Sequence, residues 1–218
     1  MTSGQANSLK PVDWYFDYVS PFAYLQNCRL GEVSKLADIT YRPVLFAGLL
    51  RQWETKGPAE IPGKRLLTYR HAHWLAGKMG VPYRMPPHHP FNPLRALRLT
   101  IALGCGADVV QTIFQSIWVD GLLPDSEDGW AAIIERLGIS DVDELLAGPS
   151  VKLALQENGD RAAAQEVFGV PTFVADGHLF WGVDTTDMLL DFLSHPGLFE
   201  DPEMARLPTV APSTSRRT

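Results

Sequence analysis

The sequence predicts an α/β fold in which a β-α-β unit and a β-β-α unit are separated by a long helical block. Three observations predict it. Alternating residues at 12–19 give way at Ser20-Pro21 to a spacing of three and four, and a second strand pattern follows at 39–46. From Ala47 to about Phe168 strand signals fade and helical signals dominate. Finally, "VPTFVADGHLFWG" holds two short apolar runs around Asp176-Gly177, a strong hairpin signal, and a last helical stretch follows.

In "VDWYFDYV", Val12, Trp14, Phe16 and Tyr18 share one face, while Asp13, Tyr15 and Asp17 take the other. The helix that follows has Ser20 near its N-cap and Pro21 in its first turn, where a missing N–H costs nothing. Its apolar positions are Leu25, Cys28, Val33 and Leu36. "ITYRPVLF", residues 39–46, is the second strand, and the β-α-β connection makes the pair parallel. Residues 64–79 predict a helix ending before Gly80-Val81-Pro82, and "PPHHP" is an extended break. A helix restarts with Asn92 as cap and Pro93 at its first position. At 108–119 the pattern is clearest: Val109, Ile113 and Ile117 lie four apart, as do Val110, Phe114 and Trp118. Further helices are predicted at 127–137, 141–147 and 150–167, with Ser140 and Ser150 as caps. The last helix, "DTTDMLLDFL", is capped by Asp184 or Thr185 and turns Met188, Leu189 and Phe192 inward.

Without the helical block, a thioredoxin-like arrangement remains. The expected division is a discontinuous thioredoxin-like domain at 11–46 and 168–198, an inserted helical domain at 47–167, and flexible tails at 1–10 and 203–218. The chain has 218 residues, 45% of them hydrophobic, enough for one large domain or a small one with an insertion. A net charge of −6 argues against a nucleic-acid-binding surface. No apolar run reaches membrane-spanning length, and the first ten residues lack the apolar core of a secretory signal. Cys28 and Cys105 form no CxxC pair, which argues against a disulfide framework and a cysteine-rich zinc site and suits a reducing cytoplasm. His71, His73, His88 and His89 have no metal-ligand spacing, so no metal is expected.

Three places in such a fold carry the chemistry. At the first helix N-terminus, where redox relatives keep CxxC, this chain has Ser20-Pro21-Phe22-Ala23. Without sulfur there, the protein performs no ordinary thiol–disulfide exchange of its own. A serine hydroxyl caps a helix, and it can also donate to an external thiolate and raise its population at neutral pH. The second place is Val170-Pro171, a cis-proline position whose preceding backbone can pair with a peptide ligand like an added strand. The third is the start of the last helix. Besides capping, Asp184 can bind an ammonium and Thr185 a carboxylate. A thiol, a peptide backbone and an amino-acid head group together describe glutathione.

The segments "VDWYFDYVSPFAYL", "YRPVLFAGLL", "IPGK", "GVPYRMP", "FNPLRALR", "FGVPTFV" and "LFWGVDTTDML", in that order, resemble the 2-hydroxychromene-2-carboxylate isomerases, relatives of the kappa-class glutathione transferases. The likeness runs from about residue 12 to 195. It implies a thioredoxin domain interrupted by a helical domain, a homodimer, and glutathione as cofactor. It implies that Ser20 holds the thiolate, that Val170 pairs through its backbone with the cysteinyl unit, and that Asp184 and Thr185 bind the γ-glutamyl end. Lys64 matches a lysine on glutathione's carboxylate side. Thr55 and Thr186 stand where relatives often carry other polar groups. The implied reaction interconverts 2-hydroxychromene-2-carboxylate and trans-o-hydroxybenzylidenepyruvate-type substrates by reversible thiolate addition, in aromatic-compound catabolism. An aromatic 2-oxo acid or chromene carboxylate needs an apolar wall, for which Phe22 is the candidate. Asn92 would add a polar contact and Arg84 would meet the carboxylate. Kappa-type conjugation, which keeps the adduct, and a cysteine-free binding module without activity are the alternatives.

Overall fold

The structure, a computed structural model, describes residues 9–211. A four-stranded sheet runs in the order β2-β1-β3-β4, with β1 at Lys10–Phe16, β2 at Ala37–Pro43, β3 at Thr172–Ala175 and β4 at His178–Trp181. β1 pairs parallel with β2, and antiparallel with β3, which pairs antiparallel with β4. This is the thioredoxin-like topology that the order of elements predicts. At the hairpin turn Asp176 and Gly177 both take left-handed backbone, with φ of 48° and 81°, the geometry a two-residue loop requires.

β1 is buried on both faces. Trp14 and Phe16 point to the main core, whereas Tyr15 packs with Val44, Leu49, Val167 and Val174 on the opposite side. The polar edge of the Trp14 ring is satisfied inside, because Nε1 donates to Gln26 Oε1 across 2.8 Å.

The first helix is shorter than its spacing predicts. α1 is Pro21–Asn27, and a separate turn, α2, is Leu30–Val33. The break lets Leu30 join Leu25 and Val33 in the core and leaves Leu36 partly exposed. The second strand also ends early. Asp17 accepts the Phe46 N–H at 2.8 Å, which starts α3 at Phe46–Gln52 where the sequence pattern continues a strand.

The helical region continues with α4 (Pro62–Met79), α5 (Leu94–Ala102), α6 (Ala107–Trp118), α7 (Glu127–Leu137), α8 (Val142–Ala147) and α9 (Pro149–Ala164). α6 carries its predicted apolar face onto the sheet. The Phe114 ring stands 4.7 Å from Tyr18 and 5.7 Å from Phe16, centroid to centroid. Ser140 does not cap α8, because its hydroxyl donates to Asp141, and Ser150 falls inside α9, which Pro149 begins. Ser126 caps α7 instead.

α10 (Thr186–Ser194) buries Leu189 and Phe192 and leaves Met188 half-buried. Lys10, expected in the N-terminal tail, begins β1. Residues expected as a loose end form α11 at Pro202–Arg206, capped by Asp201, and a 3-10 turn at Leu207–Thr209. The rest of both expected tails, 1–8 and 212–218, lies outside the described residues. Among those described, no helix is long and apolar enough to cross a membrane.

Candidate active site

Ser20 sits where β1 turns into α1. Its backbone is extended, at φ −90° and ψ 117°, and Pro21 follows as the first helical residue. Its Oγ accepts the Ala23 N–H at 3.2 Å, so Ser20 is a true N-cap. The same hydroxyl donates to the Val170 carbonyl at 3.3 Å. Val170 immediately precedes Pro171, and the bond between them is cis. The helix N-terminus and the loop before β3 therefore meet at one point.

Two cavities adjoin that point. The first, of about 570 Å³, is bounded by Ser20, Phe46, Lys64, His89, Val170 and Trp181 among others. The second, of about 540 Å³, is bounded by Arg29, His71, Pro171, Gly182, Asp184 and Asp187 among others. Phe22, Val170 and Trp181 line both.

The sequence-predicted residues divide accordingly. Ser20 and Lys64 line the first cavity, Asp184 the second, and Val170 and Phe22 both. Thr55 lines the first cavity as well. Three expected residues line neither. Thr185 turns its hydroxyl back to the Gly182 carbonyl at 3.1 Å, closing the 3-10 turn at Val183–Thr185. Asn92 uses Oδ1 to accept the Leu94 N–H at 3.0 Å, so it serves the start of α5. Arg84 lies beside Gly121, where an added Cβ would meet its Nε at 3.5 Å. For Thr185 and Asn92 a local backbone requirement holds the side chain, whereas Arg84 is exposed beside Gly121. Thr186 is also structural: it donates to the Val183 carbonyl and accepts from Gln26 Nε2.

The structure adds three residues that sequence reasoning left out of the site. Asp17 is fully buried, lines the first cavity, and accepts the N–H groups of Val19 at 3.0 Å and Phe46 at 2.8 Å. Burial pushes its pKa up to about 7, against the pull of those two N–H donors. Strand alternation located Asp17 but gave no sign of its distant partner. His89, in the loop before α5, holds the Val19 carbonyl through Nε2 at 2.7 Å, and burial lowers its pKa. The proline-rich loop was its only sequence signal. Trp181 forms an edge-to-face pair with Phe168 at 5.1 Å, with half of its surface exposed. An exposed indole closing a strand was the available clue.

Chemically, the arrangement offers a hydroxyl beside a backbone carbonyl, an exposed cation on one side and an exposed carboxylate on the other. Aromatic rings stand between them. Such a site can hold an extended zwitterionic molecule against an apolar neighbour. Cys28 offers no alternative nucleophile at this point, since burial raises its pKa and keeps it as a thiol. Among the described residues no group of three or more His, Cys, Asp and Glu side chains could hold a metal ion.

Residues 11–194 match the model of the DSBA-like thioredoxin domain. A 2-hydroxychromene-2-carboxylate isomerase of Pseudomonas sp. (strain C18) is 30% identical over 191 residues, covering 82% of this chain and 87% of that protein. Human glutathione S-transferase kappa 1 is 24% identical over 207 residues, covering 84% and 91%. Among solved structures, that of a selenomethionyl 2-hydroxychromene-2-carboxylate isomerase superposes with a TM-score of 0.73 at 24% identity. It covers 91% of this chain and 98% of that one, and it shows a shared fold.

Proposed function

The chain belongs to the DSBA-like thioredoxin domain family and, within it, to the 2-hydroxychromene-2-carboxylate isomerases, and from that membership we propose how this isomerase works. Its substrate is a chromene carboxylate or the open aromatic 2-oxo acid that is its isomer, and its cofactor is glutathione. One observation carries this reading: the Ser20 hydroxyl and the Val170 carbonyl meet at 3.3 Å where two cavities adjoin.

The residues suit the tripeptide. Asp184 gives its ammonium a carboxylate, and Lys64 gives a carboxylate an ammonium. The backbone of Val170 would pair with the peptide once the Ser20 hydroxyl turns from its carbonyl. Two glycines keep the surface close. A Cβ at Gly182 would stand 2.5 Å from Asp184 Oδ1, and one at Gly169 would stand 2.6 Å from Trp181 Nε1. When bound, glutathione supplies a thiolate that can add reversibly to an electrophilic carbon and leave again.

The chain's own residues do the rest. Ser20 turns its proton from the Val170 carbonyl toward the sulfur and stabilises negative charge there. Phe22 and Trp181 line the cavity that Ser20 borders and would give an aromatic substrate ring an apolar surface to lie against. Lys64 also draws the anionic substrate toward the cavity. An isomerisation leaves the oxidation level of its substrate unchanged, so the proposed reaction calls for no redox partner.

The test is a comparison of two assays. A chromene carboxylate should be converted to its open isomer only when glutathione is present, with no net loss of thiol. Accumulation of a glutathione conjugate from a chloro-nitroaromatic, without isomerisation, would favour the kappa-type transferase. Neither activity would leave a binding module.

A further inference from the structure

We propose that the helical region aims the Ser20 hydroxyl: His89 is a positioning residue that holds the peptide bond leading into Ser20. This rests on the reading that Ser20 serves the bound thiolate.

Four backbone groups of the turn from Asp17 to Ser20 are held by partners outside or within it. The Tyr18 carbonyl accepts from Trp118 Nε1 at 2.9 Å, and the Val19 carbonyl accepts from His89 Nε2 at 2.7 Å. The Val19 N–H donates to Asp17 Oδ1 at 3.0 Å, and the Ser20 N–H donates to the Asp17 carbonyl at 3.1 Å. Two consecutive carbonyls are thus gripped by ring N–H groups from outside the sheet, one from the end of α6 and one from the loop before α5. The two donor rings pack against each other, with centroids 5.8 Å apart.

His89 is itself oriented. A carbonyl can only accept, so Nε2 carries the proton. In the neutral ring Nδ1 is then an acceptor facing the Tyr69 hydroxyl, 2.8 Å away on α4, and that hydroxyl's one proton is shared with the His89 carbonyl at 3.1 Å. The resulting chain runs Tyr69–His89–Val19, and the next residue is Ser20. Stability alone does not require it: Val19 lines the first cavity, where solvent could satisfy its carbonyl. A histidine with both nitrogens committed instead fixes the orientation of one peptide plane. Serine's reach toward a bound sulfur depends on that plane, and displacement of a catalytic group by about 1 Å can cost roughly a hundredfold in rate. Trp118 is fully buried beneath, so its replacement would test folding more than aim. His89 is only half-buried and lines the cavity.

The experiment compares His89→Gln with His89→Leu. Glutamine keeps one N–H for Val19 and one acceptor for Tyr69, while leucine keeps neither. With glutathione saturating, His89→Leu is expected to lower kcat by roughly 10- to 100-fold with little change in KM, and His89→Gln to stay within about threefold of wild type. The Ser20 amide belongs to the same peptide unit as the Val19 carbonyl. Its resonance should therefore move in the leucine variant and stay in place in the glutamine variant. Should the leucine variant not fold, Tyr69→Phe releases the far side of the ring and should move the same amide. A wild-type kcat in His89→Leu overturns the proposal, and so does equal loss in both variants that tracks their unfolding midpoints. If the wild type does not isomerise the substrate at all, the proposed activity fails. The positioning role is then decided by the Ser20 amide, and an unmoved resonance overturns it.

Discussion

Ser20 and Val170 are 150 residues apart in the chain, yet the hydroxyl of one donates to the carbonyl of the other across 3.3 Å. That hydroxyl also caps α1 through the Ala23 N–H, so its removal has two separable effects. Loss of the cap costs about 1 kcal/mol of stability. Loss of the donor that holds the bound thiolate, a hydrogen bond to a charged group worth about 1.5–3 kcal/mol, lowers the thiolate fraction and costs on the order of a hundredfold in turnover. Ser20→Ala should therefore unfold a few degrees lower and isomerise roughly a hundred times more slowly. Calorimetry and a glutathione-dependent isomerisation assay read the two effects. A variant with a lowered midpoint and full turnover would reduce Ser20 to its cap.

Lys64 and Asp184 stand in different cavities, joined through Phe22, Val170 and Trp181. If they hold opposite ends of glutathione, each loss should raise the concentration needed for half-saturation and spare kcat once saturated. A hydrogen bond to a charged group is worth about 1.5–3 kcal/mol, so Asp184→Asn and Lys64→Met should each raise that concentration by about tenfold or more. Glutathione esterified at its glycyl carboxylate offers a cross-check. It should bind wild type more weakly, but lose little further in Lys64→Met, because both changes remove the same contact. Full additivity would put Lys64 elsewhere.

What the sequence discloses follows the range of the forces involved. Ser20-Pro21 is legible because capping and the fixed proline φ act over three or four residues. Asp176-Gly177 is legible because a two-residue hairpin demands left-handed backbone. The order of strands and helices then determines the sheet. The partners of Asp17 and His89 were not legible. Asp17 starts α3 at Phe46, 29 residues away, and His89 reaches Val19 across 70. No local pattern encodes such a pairing. Charge alone points to Arg84, and a polar group before a helix to Asn92, whereas Asn92 serves the start of its own helix and Arg84 lies beside Gly121.

Asp17 makes stability depend on pH in an unusual direction. Its ordinary pKa is 3.8, and burial raises it to about 7 in the folded chain. Below 3.8 the side chain is protonated in folded and unfolded chains alike and contributes nothing. Between 3.8 and 7 the unfolded chain has released a proton that the folded chain retains, so this group's contribution falls as pH rises. Above 7 both are ionised and the full penalty of a buried charge is present. Asp17→Asn removes that dependence, although its amide can accept only one of the two N–H groups at full strength. The difference in unfolding free energy, wild type minus variant, should therefore decline from pH 4 to pH 7 and then level off. Urea titrations across that range measure it. A difference rising over the same interval would mean that the two N–H donors outweigh burial.

Gly169 and Trp181 give the sharpest test of the wall between the cavities. A methyl group at Gly169 would stand 2.6 Å from Trp181 Nε1, closer than non-bonded atoms approach, so the indole must move. The ring also meets Phe168 at 5.1 Å, and its displacement disturbs both cavities at once. Gly169→Ala should shift tryptophan emission and raise KM for an aromatic substrate by roughly tenfold, since loss of ring contact costs about 1 kcal/mol or more. Trp181→Phe should relieve part of the conflict. The double variant should thus recover affinity that Gly169→Ala alone has lost, a coupling expected only of residues in contact. If Gly169→Ala lowers the unfolding midpoint but leaves KM unchanged, the indole lies outside the path of the substrate, and Phe22 alone would have to form the apolar wall beside Ser20.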